Sequence, residues 1–431
     1  MNETIAVAAV NSDTSLRYRY YALGLLTLVY LLSYLDRQIL SILLEPIKRD
    51  LALSDTQLGF LGGLAFAVFY TLFAIPMAAW SDRKSRRTLI AIVVAIWSVM
   101  TALSGLAVGF VTLLAARICV AVGESGAGPA AQSLVADYFA VHERGRAMSV
   151  FFLGVPLGIL IGFLSGGWIA QNFGWRAAFF VVGLPGVAVA ALVWLTLREP
   201  PRGHSEGLRA DQTAPSVVET LHYLWAARSF RHIALGAALQ AFVGYGSIHW
   251  IPSFLIRVHG MSVGEVGVWL ALLVGVGLGV GTLLGGVLAD CLSKRDMRWW
   301  LWLPALSILA CAPFMAFVLL WPDRLQVLMV YAIPVMLSAF WAGPVHAIVQ
   351  AIVRVRMRAM AAAVLLFVIN LVGLGLGPLV IGVLSDLLLA QFGAESLRYA
   401  LLVVIPAVAW SALHYWLGAR TLRADLAVAR N

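Results

Sequence analysis

Apolar residues run through this chain in long blocks broken by short polar loops. About 20 apolar residues cross a bilayer core of roughly 30 Å, so each block of that length reads as one membrane-crossing helix. On this basis spans are expected at 21–44, 57–80, 88–108, 111–136, 147–170 and 176–197. A second set is expected at 232–256, 265–289, 299–320, 326–350, 360–386 and 396–417. Between the two sets lies the one long polar stretch, "LREPPRGHSEGLRADQTAPSVVETLHYLWAARSFRH". Its second part places Val217, Val218, Leu221, Leu224 and Trp225 at helical spacing, which suggests a short helix on the membrane surface or an ordered loop. The organisation expected is a six-helix bundle over 1–198, a linker over 199–231 and a second six-helix bundle over 232–431. The fold class is all-α integral membrane, with twelve transmembrane helices in two pseudo-symmetric bundles.

Composition agrees with the pattern. Hydrophobic residues make up 61% of the chain and charged residues 12%, with a mean hydropathy of +0.91, which excludes an ordinary soluble domain. Cys119 and Cys311 fall in apolar runs and Cys291 in a basic loop, so no spacing suggests a metal site or disulfides. The N-terminus lacks a basic region running into a short apolar core and reads as an uncleaved tail. Of the 30 Lys and Arg residues, 22 fall in the two terminal tails and the loops after spans 2, 4, 6, 8 and 10. The opposite loops hold Lys48, Arg49, Arg176, Arg257, Arg324 and Arg398. Basic residues are retained in the cytoplasm, so both termini are expected there, in a plasma membrane of the bacterial inner-membrane kind. The net charge of +9 follows from this asymmetry, and nucleic acid is not the expected partner.

The loop after span 2 reads "AAWSDRKSRR" and the loop after span 8 reads "GGVLADCLSKRD", an internal repeat that places Asp82 and Asp290 alike. Each acid precedes a basic cluster able to form contacts in one conformation and break them in another. Asp82, Arg83, Arg87, Arg144, Asp290 and Lys294 are therefore the candidate gating residues. Twelve spans in two sixes, with D-R-x-x-x-R-R after span 2, resemble the major facilitator superfamily of secondary transporters. Ala78 and Ser85 stand where that motif has glycines, and the second copy keeps Gly286. Gly154, Gly158, Gly162 and Gly166 form a small-residue stripe on span 5 that lets another helix approach, and span 11 carries a similar run. "YLDRQIL", "LALSDTQLGFLGGLAFAVFY", "ARICVAVGESGAGPAAQSLVADYF", "RGRAMS" and "NLVGLGLGPLVIGVLSD" resemble the spinster-like branch. That resemblance implies amphipathic lipid substrates, such as sphingosine 1-phosphate and lysophospholipids in the eukaryotic members, moved by export or proton-coupled transport.

Ionisable groups in the middle of a span are costly and mark function. Those present are Asp36 and Arg37 in span 1, Arg117 and Glu124 in span 4, His249 in span 7 and His346 in span 10. The resemblance implies that spans 1 and 4 line a central cavity. Arg117 and Glu124, seven residues apart, share a face about 10 Å apart along the axis and do not pair. Arg37 is the expected partner of Glu124. Asp36 and Glu124 are the candidate proton carriers, Arg37 the anion site, and Arg117 a further site residue or a structural anchor. Tyr70, Gln240, Tyr245, His249, Trp250 and Asn370 are candidate cavity residues. A charged wall facing an apolar and aromatic one suits an amphipathic anion. A small organic or aromatic carboxylate is the alternative substrate, and a passive lipid conduit or membrane sensor the alternative class. No catalytic motif, metal or cofactor is expected beyond protons as coupling ion, and the chain is expected to work as a monomer among membrane lipids.

Overall fold

The computed structural model describes residues 15–200, 217–354 and 357–430. Among the described residues the chain forms twelve long helical rods. Spans 1 to 6 are Leu16–Leu51, Asp55–Arg83, Arg86–Ser104, Phe110–Tyr138, Val141–Phe173 and Trp175–Thr196. Spans 7 to 12 are Arg228–Arg257, Val263–Ser293, Trp299–Leu320, Arg324–Ala351, Arg358–Phe392 and Ser396–Arg430. Span 7, though more polar than most of the second set, has 30 residues, ample to cross.

Most rods exceed the apolar runs because helix continues into the polar interface, whereas span 3 ends four residues short of its run, at Ser104. Span 1 starts at Ser15, whose hydroxyl accepts from the Tyr18 N–H, and stops at Ala52, which is left-handed at φ 51°. Span 2 begins with a capping box between Ser54 and Gln57, two residues before the apolar run. Span 12 runs on to Arg430, so the expected C-terminal tail is largely helix. The linker expected at 199–231 lies partly outside the described residues. Its second part is the helix Val217–Ala226, and span 7 begins at Arg228, earlier than the hydrophobic run suggests. The expected single apolar face of that helix is divided: Leu224 is buried against the bundle, whereas Val218, Leu221 and Trp225 are exposed.

The internal repeat appears as matched packing. Span 1 lies on span 5, span 3 on spans 4 and 6, and span 2 on span 4. Six spans later, span 7 lies on span 11, span 9 on spans 10 and 12, and span 8 on span 10. The glycine stripe of span 5 faces span 1: an added Cβ at Gly158 would sit 2.5 Å from Leu31 O. Its neighbour Gly167 looks the other way, across the seam between the halves. A Cβ there would lie 2.8 Å from Val263 O and 2.9 Å from Gly267 Cα. Spans 2 and 11 form the second seam. Every seam helix is interrupted within the membrane: span 2 at Gly63, span 5 at Leu153, and spans 8 and 11 by π-helical turns at Ala271–Val276 and Ile369–Leu376. Such breaks loosen the i→i−4 ladder where helices need to bend.

Candidate functional site

Arg37 and Glu124 meet across the middle of the first half. Arg37 Nε donates to Glu124 Oε2 at 2.6 Å, and the Ser33 hydroxyl donates to the same oxygen at 2.8 Å. Glu124 Oε1 is buried without a partner among the described residues. Three rings surround the Arg37 guanidinium, with centroids at 5.2 Å for Tyr34, 5.1 Å for Phe66 and 4.9 Å for Tyr70. Cation–π attraction of this kind holds a guanidinium in place without neutralising it. Phe66 also lies 5.4 Å from the Arg117 guanidinium, so one ring lies against both cations. Arg117 is 2% exposed, and its Nε and Nη1 have no hydrogen-bond partner among the described residues. Asp36 turns away from this group and accepts from the Thr101 hydroxyl of span 3 at 2.9 Å. It does not line the cavity, because a step of one residue rotates the side chain by about 100°.

A cavity of about 360 Å³ lies between the halves, with Tyr34, Arg37, Gln38 and Arg117 on one wall and Gln240, Tyr245 and His249 on the other. A second pocket of about 30 Å³ is bounded by Tyr30, Ser33, Tyr70 and Glu124, and Arg37 borders both spaces. The smaller one is large enough for a water molecule or two. Two expected cavity residues are elsewhere. Trp250 is fully buried and donates to Pro378 O at 2.8 Å, tying span 7 to span 11, and Asn370 sits in the π-helical turn away from the cavity wall. Tyr70 belongs to the smaller pocket. His346 hydrogen-bonds to Ala342 O within its own helix.

The cavity is shut at the end remote from the termini by a network that sequence reasoning missed. Arg257 of span 7 donates twice to Asp55 of span 2, at 2.6 Å each, and once to Glu45 of span 1. Lys48 and Ser385 also donate to Asp55, each at 2.6 Å. Asp386 of span 11 accepts the Asp55 and Thr56 N–H groups at 3.0 and 2.7 Å, so the first turn of span 2 is capped by the other half of the molecule. The available signal was that Lys48 and Arg257 sit on the base-poor side. At the termini end Asp82, Arg83 and Asp290 are exposed, and neither they nor Lys294 form an ion pair between halves among the described residues. Arg87 and Arg144 bond within the first half, to Leu197 O and Ala136 O. One ordered charge cluster there is Arg86, which holds Asp137, Glu199 and Ser133, and another is Asp296 with Arg298 and Arg423.

Comparison with known proteins agrees with this architecture. Residues 26–378 match the Major Facilitator Superfamily. An MFS-type efflux pump of Mycolicibacterium smegmatis is 35% identical over 428 residues, which cover 97% of this chain and 98% of that protein. Protein spinster homolog 3 of Danio rerio is 30% identical over 401 residues, covering 87% and 78%. The crystal structure of a bacterial homolog to the human lysosomal transporter Spinster, in an inward-facing and unoccupied conformation, superposes with a TM-score of 0.88. Its identity is 33%, and the match covers 96% of this chain and 99% of that one.

Proposed function

The chain belongs to the major facilitator superfamily and is a multi-pass membrane transporter of the spinster-like kind, and on that premise we propose that it is a proton-coupled secondary carrier of an amphipathic anion. The observation that carries this reading is Arg37, bonded to Glu124 on one side and bordering the central cavity on the other. While Glu124 is ionised it holds the guanidinium. Protonation of Glu124 cancels that attraction and releases Arg37 towards an anion in the cavity. Proton and anion then favour each other's binding, by the same factor in each direction. Arg117, whose buried Nε and Nη1 have no partner among the described residues, supplies a second point for the anionic head. The apolar lining of the second half suits a hydrocarbon tail. With the termini in the cytoplasm, as the charge asymmetry implies, the closed end is external and the conformation is inward-facing.

The test is uptake in proteoliposomes loaded with a pH gradient, using a lysophosphatidate and an aromatic carboxylate as alternative substrates. Accumulation against a gradient is expected for the lysolipid, and its loss in Glu124→Gln. A pH-driven flux undiminished in Glu124→Gln overturns the coupling role, accumulation of the carboxylate alone overturns the substrate class, and equilibration without accumulation identifies a passive conduit.

A further inference from the structure

The two halves are alike in packing, yet the cavity treats them differently. In the first half its wall is made by spans 1, 2, 4 and 5. Span 3, which packs outside them, contributes nothing to it and instead carries the fully buried Trp97 between itself and span 4, where Gly123 abuts the Trp97 Cβ. In the second half the cavity passes between spans 7, 8 and 10 and reaches span 9, the counterpart of span 3. Ile308, Cys311 and Met315 of that outer helix line it. A branch therefore extends from the charged wall into the core of the second half, bordered by the rings of Tyr331 and Trp341 on span 10 but not plugged by a ring from span 9.

The chemistry of the branch is that of a hydrocarbon site. Besides Tyr331, its polar side chains bond to backbone carbonyls: Thr282 donates to Leu278 O, Ser338 to Val335 O, and Cys311 to Ser307 O and Pro334 O. Where span 7 borders the cavity, Gln240 Oε1, Ser247 Oγ and His249 Nε2 are buried without a partner among the described residues, as are Nε and Nη1 of Arg117 on the charged wall. Gly244 also lines the cavity, and a Cβ added there meets nothing within 4 Å, so this position keeps the passage wide.

We propose that this branch is a slot for a single unbranched hydrocarbon chain and that Ile308, Cys311 and Met315 at its end set the longest chain accepted. The proposal rests on the amphipathic-anion reading above and adds the tail site to it. Burying one methylene changes a dissociation constant about fourfold, so a slot closed early penalises each carbon that no longer fits.

The experiment uses the full chain in lipid nanodiscs and n-alkyl phosphates from butyl to hexadecyl, with affinities by calorimetry. Ile308→Trp places a ring at the slot's end, as Trp97 does in the first half, and Gly244→Leu narrows its entrance. The ratio of variant to wild-type Kd cancels partitioning of the probes into lipid. That ratio is expected to stay near one for butyl phosphate and to exceed tenfold for the long chains, with Gly244→Leu acting at shorter lengths than Ile308→Trp. A ratio independent of chain length overturns the slot. If n-alkanols give the same chain-length pattern as the phosphates, the slot stands and the anionic head falls. If wild type binds no probe in either series, the amphipathic-substrate reading falls and takes the slot with it.

Discussion

Replacing Asp55 by Asn is expected to tip the molecule out of the conformation described above. Of the groups that hold Asp55, Lys48 belongs to the same half and stays with it in every conformation, whereas Arg257 and Ser385 belong to the other. Opening the remote end therefore breaks the two guanidinium bonds, the serine bond and the trans cap from Asp386. Hydrogen bonds to a charged group contribute about 1.5–3 kcal/mol each. The Asp55 side chain is only 2% exposed and that of Arg257 10%, so solvent screens the pair weakly. Asn still accepts one bond and Arg257 keeps Glu45, which leaves a net loss of about 3 kcal/mol, or roughly a 150-fold shift in the conformational equilibrium. Spin labels at Val108 and Gln391, exposed at the remote end on opposite halves, report it in a cysteine-free background. Wild type should give one short distance by pulsed electron resonance, and Asp55→Asn a second, longer one. Arg257→Gln should do the same, and the double variant should add little, since both remove one interaction. An unchanged distance distribution in a folded Asp55→Asn protein would refute the assignment of this network as the lock.

Three further outcomes follow from the packing. Gly167→Val forces span 5 off the backbone of span 8 and should lengthen the same label distance, whereas Gly154→Ala, which meets Thr27 O inside the first half, should lower the thermal midpoint without changing that distance. Arg86→Lys cannot reach Asp137, Glu199, Ser133 and Pro200 O together, and should cost about 3 kcal/mol in thermal unfolding monitored by tryptophan fluorescence. Partial burial pushes the Glu199 carboxyl up, but the Arg87 N–H, the Arg86 guanidinium and the Ser85 hydroxyl together hold it below the usual carboxylate range. A depressed value means that its contribution is present above a free glutamate's pKa of about 4.3 and lost as pH falls through the folded value. Glu199→Gln should thus lower the midpoint by a constant amount between about pH 5 and 8, and a difference that shrinks inside that window would contradict the assignment.

Hydropathy was enough to count the spans, because a bilayer leaves a helix few alternatives. It also singled out Arg37 and Glu124, since a hydrocarbon setting offers a buried charge very few partners. The glycines of span 5 were legible as a stripe, but only the packed structure assigns them to span 1 and gives the seam with span 8 to Gly167. The remote lock was hidden for a different reason. Asp55, Arg257 and Asp386 are ordinary residues at helix ends, about 130 to 330 positions apart in the chain, and their meaning comes from two halves being pressed together. The branch towards span 9 was hidden more completely still. A sequence specifies the side chains that fill space, and an unfilled space exists only once every neighbouring helix has been placed, so its extent was decided by tertiary structure alone.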